Sequence, residues 1–197
     1  MSLQALERLT NWIAALPGMG IKSASRAAYY LLDLPEERIR DFTEALLHAR
    51  SLIRKCPVCG CYWEGKTCQS CCIPYSKEGI LCVVETAQDV FILKKYLPNG
   101  TRFHVLGGKL SPLQGIAPSD LNIEPLENRL KEKELKEMLI ALGSDVESET
   151  TSNYLLTRFK ETGIKISRLA FGLQVGASLS ATDERSIQKS LSGRVFY

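Results

Sequence analysis

The sequence predicts an α+β multidomain chain, with a helical N-terminal part, a cysteine knuckle, and an α/β part on a mostly parallel sheet. Three observations predict it. Apolar residues recur at helical spacing through residues 1–55, six of the seven cysteines crowd into residues 56–72, and short apolar runs alternate with helical patterns over residues 80–170. A composition 45% hydrophobic and 24% charged over 197 residues suits a folded chain with a sizeable core.

Taken in order, Leu3, Leu6, Leu9, Trp12 and Ile13 form the apolar stripe of a first helix. Leu16-Pro17-Gly18-Met19-Gly20 ends it, because proline cannot continue a helix and glycine tolerates positive φ. A second helix follows through Ala24, Ala27, Ala28, Leu31 and Leu32, and Pro35 starts a third with Ile39, Phe42, Leu46, Leu47 and Ile53 on one face. Beyond the knuckle, strands are expected at 80–84, 102–106, 138–142 and 165–170, with helices at 87–96, 123–133 and 147–162. The tail, 171–197, is expected to hold a short helix from 184 and an extended end.

The knuckle spacing is Cys56-x2-Cys59, eight residues, then Cys68-x2-Cys71. Each pair can bring two thiolates to one ion, and two pairs complete a tetrahedral shell with no position left for a substrate. That points to a structural zinc. A redox CxxC or a set of buried free thiols does not explain two pairs so close together. Cys61 and Cys72 each adjoin a proposed ligand and leave the set open, whereas Cys82 reads as a small buried apolar residue. Paired cysteines without a recognisable signal peptide indicate a reducing compartment, so a cytoplasmic location is expected. No run of about 18 apolar residues suggests a membrane span.

Two further constellations carry chemistry. Gly18 and Gly20 leave backbone N–H groups uncovered at the start of the second helix, where an anion can be bound, and Lys22 and Arg26 lie four apart on one helix face. This is the chemistry of a helix-hairpin-helix that grips phosphates and reads little sequence. An ordinary turn with two solvated cations is the bland alternative. Glu85 follows the first long strand, and Asp145, Glu147 and Glu149 follow the third, at the strand ends where open α/β sheets place their sites. They could hold Mg²⁺ or simply favour a helix start. Gly107-Gly108-Lys109 hints at a P-loop, but Phe103 and Leu110 stand where glycine and Ser/Thr are needed. His48 and His104 read as structural or surface residues.

LPGMGIKSASRAAYYLL, the paired cysteines, LCVVETAQDV, FHVLGGKLSPLQGI, VESETTSNYL and ISRLAFGLQVGASL together resemble the bacterial RecR family of recombination mediators across nearly the whole chain. The α/β part resembles a Toprim domain. The resemblance implies a helix-hairpin-helix domain at 1–55, a four-cysteine zinc finger at 56–72, a Toprim domain at 80–170 and a tail at 171–197. It implies no catalysis. It also implies sequence-tolerant DNA contact through Gly18, Gly20, Lys22 and Arg26, zinc at Cys56, Cys59, Cys68 and Cys71, and partner contacts at the acidic positions Glu85, Asp145 and Glu147. The implied partners are RecO, with RecF in many cases, and RecA indirectly, acting on gapped or single-stranded DNA. The implied assembly is a homo-oligomer, a dimer or a tetrameric ring. The alternative is a Mg²⁺-dependent Toprim nuclease or topoisomerase. Against it, Gly143-Ser144-Asp145 lacks the first carboxylate of Asp-x-Asp. Ser148 replaces the glycine of Glu-Gly-Glu, and Phe171 stands where histidine is common.

Overall fold

The computed structural model describes residues 3–170, 172, 173, 176, 178, 180 and 182–193. The chain divides into two compact units, Met1–Ile53 and Arg54–Tyr197. In the first, α1 (Gln4–Ala14) and α2 (Ile21–Asp33) pack on each other, and α3 (Glu36–Leu52) follows. Ala24 and Ala28 on α2 are fully buried, small enough to let α1 approach closely. The stripe of α1 is partly covered at Leu6, Leu9 and Ile13, whereas Trp12 on α1 and Phe42, Leu46 and Leu47 on α3 are exposed.

The second unit opens with a two-stranded antiparallel ribbon of β1 (Arg54–Lys55) and β2 (Tyr62–Trp63). Its main sheet contains β3 (Ile80–Val84), β4 (Arg102–Val105), β5 (Glu137–Ala141) and β6 (Lys165–Arg168) in the order β4-β3-β5-β6. All three pairings are parallel. The connecting helices are α4 (Ala87–Leu93), α5 (Ile123–Arg129) and α6 (Val146–Phe159), and α7 (Glu184–Ser192) closes the described chain.

Strand alternation divides the core between the two sheet faces. Leu81, Val83, Met138 and Ile140 join Ile123 and Leu126 of α5 and Leu155 and Phe159 of α6 in one cluster. Cys82, Val84, Phe103, Val105 and Ala141 join Val90 of α4 and four knuckle cysteines in the other. The knuckle is therefore part of the cover of the sheet and does not stand apart from it. It also caps the sheet edge at β4, because Val105 N donates to Cys59 O at 2.7 Å and Phe103 N to Ser70 O at 3.2 Å. Cys82 is fully buried, as expected, and burial pushes its thiol up to about 12.

Two helices end earlier than their sequence patterns suggest. α4 stops at Leu93, where Lys95 N to Ile92 O and Tyr96 N to Leu93 O tighten the chain into a turn before Pro98. α5 stops at Arg129, whose buried guanidinium donates to Phe103 O at 2.6 Å. Phe171 and the extended end at 194–197 lie outside the described residues.

Candidate metal centre and nucleic-acid interface

The sulfurs of Cys56, Cys59, Cys68 and Cys71 all lie within 4.8 Å of one another. Cys56 Sγ to Cys71 Sγ is 3.7 Å and Cys59 Sγ to Cys68 Sγ is 3.5 Å. Thiolates about 2.3 Å from one zinc stand roughly 3.8 Å apart in a tetrahedron, so this donor set fits the ion. Local sequence builds it. Cys56 N donates to Cys61 O and Gly60 N to Cys56 O, both at 2.9 Å, folding the first CxxC around a turn. Gly60 has φ +72°, and a Cβ there would stand 2.7 Å from Val105 O, so both the turn and the close approach require glycine. Burial pushes the Cys68 thiol up to about 11 and the Cys71 thiol higher still. Crowded thiols of this kind ionise together only around a cation. Cys61 is buried and directs its sulfur at Cys59 O; exposed Cys72 has its sulfur 3.8 Å from that of Cys71. Neither joins the cluster of four.

In the first unit, Gly18 takes φ +78° and Gly20 is the N-cap residue of α2. No side chain caps this helix start, and its first turn holds no acidic residue. Lys22 and Arg26 are exposed, and neither has an ion-pair partner among the described residues. The helix dipole, uncovered amides and two cations therefore combine on one end of α2. A Cβ at Gly18 or Gly20 would meet nothing within 4 Å, so open space for an approaching backbone surrounds both.

The carboxylates of the sheet are brought together, and a cation stands between two of them. Lys109 Nζ lies 3.1 Å from Asp145 Oδ2 and 3.5 Å from Glu85 Oε2. Asp145 caps α6, accepting from Ser148 N at 2.9 Å and Ser148 Oγ at 2.8 Å. The Ser148 amide, the Ser148 hydroxyl and Lys109 hold this carboxyl well below the usual carboxylate range. Glu147 accepts from Ser111 Oγ. Glu149 lies apart, bonded to Lys189 Nζ at 2.7 Å and Arg168 Nη2 at 3.3 Å. The two departures from the catalytic Toprim pattern fit one another. A Cβ at Gly143 would press to 3.1 Å from both Ser148 Oγ and Asp145 Oδ2, so the serine that pins Asp145 needs a small residue at 143.

Comparison with known proteins agrees with both halves of this description. The helix-hairpin-helix model of RecR matches residues 6–50, and the Toprim domain model matches residues 79–170. A Bifidobacterium adolescentis protein named Recombination protein RecR is 39% identical over 190 residues, covering 96% of this chain and 95% of its own. One of the same name from Bifidobacterium longum subsp. infantis is 38% identical over the same shares. The chain belongs to the RecR family. Its fold has the parts expected of that family, a helical helix-hairpin-helix region, a four-cysteine cluster and a Toprim region on a parallel sheet. No helix among the described residues is long and apolar enough to cross a membrane.

Sequence reasoning missed Lys109, which it weighed only as part of a failed P-loop. Its signal was weak, one lysine after two glycines, because positions 85, 109 and 145 meet only once the sheet has formed. Ser111 was missed for the same reason.

Proposed function

We propose that this RecR-family chain is a non-enzymatic, DNA-binding recombination mediator of recombinational repair. It acts in the cytoplasm with RecO, and with RecF, to promote RecA loading on gapped or single-stranded DNA. The observation that carries the reading is the uncapped start of α2, where Gly18, Gly20, Lys22 and Arg26 present amides and positive charge to solvent. Such a surface grips phosphates with little regard to sequence. The curated relatives, each named a recombination protein, support the setting.

Zinc at Cys56, Cys59, Cys68 and Cys71 is structural in this reading. Four sulfurs close the coordination shell, and its work is to fasten the knuckle to the sheet edge. Lys109 supports the absence of catalysis: a tethered ammonium already stands between Glu85 and Asp145 and offsets one of their two charges, where a Toprim enzyme needs Mg²⁺. The cleft is left to contact partner proteins through Glu85, Asp145 and Glu147. The exposed apolar residues of the first unit, Trp12, Phe42, Leu46 and Leu47 among them, support self-association into a dimer or tetrameric ring.

Light scattering on size-exclusion fractions, with and without DNA over a protein concentration series, tests the assembly. A ring gives a multimer bound to DNA, and a monomer bound to DNA contradicts it. Supercoiled plasmid with Mg²⁺ tests the chemistry. It stays supercoiled under the mediator reading, whereas nicking or relaxation abolished in Glu85→Gln establishes the nuclease or topoisomerase alternative.

A further inference from the structure

The second unit carries an aromatic recess with a lysine in its wall, separate from the carboxylates Glu85, Asp145 and Glu147. α4 spends Ala87, Val90 and Leu93 on the sheet, which leaves Phe91 on its outer side, 66% exposed. Facing it across a cavity of about 570 Å³ are Tyr62 and Trp63 of the knuckle ribbon. Trp63 rests partly on the core, so its ring is held in place, while Tyr62 is exposed. Lys94 lines the same cavity, and Glu64, Gln69 and Ser70 supply hydrogen-bonding groups at its edge. Lys66 and Lys95 are exposed and adjoin lining residues in sequence. None of the three lysines has an ion-pair partner among the described residues. The nearby Asp89 is spent on the Thr86 amide and hydroxyl, both at 2.8 Å.

Aromatic faces, here with one ring held on the core, beside a lysine free of ion pairs are the combination that binds single-stranded nucleic acid, the rings stacking on bases and the ammonium meeting phosphate. A duplex cannot use such a recess, because its bases are already stacked and paired. We infer that the recess of Tyr62, Trp63, Phe91 and Lys94 is a second DNA site, one that takes unpaired bases of a single strand. It rests on the reading of the chain as a DNA-binding protein, and it separates the two kinds of contact. Phosphates of either DNA form meet the hairpin of the first unit, and unstacked bases meet the recess of the second.

The chain has two tryptophans, Trp12 and Trp63, so Trp12→Phe leaves Trp63 as the only indole reporter. Titrating that protein with oligothymidylate is expected to quench its emission to saturation, while a blunt duplex bound to the same extent leaves it unchanged. Phe91→Ala should weaken oligothymidylate binding about tenfold with duplex binding intact. Phe91 is exposed, so its truncation leaves the core in place. Lys94→Gln with Lys95→Gln should flatten the dependence of log affinity on log salt by roughly 1.4 for the single strand. Oligothymidylate that binds by anisotropy without altering Trp63 emission overturns the inference. So does a Phe91→Ala protein with changed mass in light scattering and unchanged oligothymidylate affinity, which would assign the recess to a second copy. In both cases the hairpin reading survives as long as Lys22→Glu with Arg26→Glu still abolishes binding; a protein that binds neither DNA form ends both.

Discussion

The two units of the chain bury their apolar residues in very different measure. In the second, helices cover one face of a parallel sheet, α4 and the cysteine knuckle cover the other, and Leu81, Leu126, Leu155 and Phe159 are almost fully enclosed. In the first, the buried residues among those described are the two alanines of α2, while Trp12 is 70% and Leu47 69% exposed. One unit is stabilised by its own core and, in our reading, by metal. The other presents many of its apolar side chains and its Gly18–Gly20 turn to solvent. We read the sheet unit as the stable frame and the helical unit as the one built for contact.

The largest effect should come from the metal. Cys59→Ser is expected to abolish stoichiometric zinc in elemental analysis and to release the amides of Phe103 and Val105 to hydrogen exchange, since metal binding is worth on the order of 10 kcal/mol in comparable sites. Cys72→Ser should leave one zinc per chain; loss of zinc there would redraw the ligand set. Next comes the core. Leu155→Ala should cost about 2–5 kcal/mol in denaturant unfolding. Leu47→Ala should change the stability of the monomer by less than about 0.5 kcal/mol and act on assembly instead. Equal costs would erase the distinction between the units.

A smaller effect lies in pH. Burial, opposed by the hydrogen bond of Nε2 to Asn122 O at 2.6 Å, pulls His104 down to about 4. Its folded value lies below its ordinary value near 6.5, so the unfolded chain binds more protons between those two pH values. Stability therefore falls as pH drops from about 6.5 to about 4, by up to about 3 kcal/mol. Unfolding free energies across this window, compared with His104→Gln, isolate the contribution. Equal slopes in the two proteins would remove His104 from the account.

Much of this was legible in the sequence because the signals were local. CxxC spacing, apolar runs and the Pro17–Gly20 turn each report on a few neighbouring residues, and the structure has its cysteine cluster, strands and hairpin where these signals lie. What the sequence hid depends on distant segments meeting. Lys109 joins Glu85 and Asp145 only through the sheet, and Gly143 matters to Ser148 because a Cβ at 143 would stand 3.1 Å from the serine hydroxyl. The stripe through Trp12 and the face through Phe42, Leu46 and Leu47 were legible as apolar faces of helices, and their exposure was not. Periodicity marks an apolar face, and it does not say whether the same chain covers it.

In our reading DNA is held through its phosphates at the start of α2. That reading is tested most directly by fluorescence anisotropy of labelled duplex DNA across a salt series, comparing the parent protein with Lys22→Glu, Arg26→Glu. Loss of two phosphate contacts should reduce affinity at least about a hundredfold at low salt and flatten the log–log salt slope by roughly 1.8. Unchanged affinity and slope in the double variant would contradict the account.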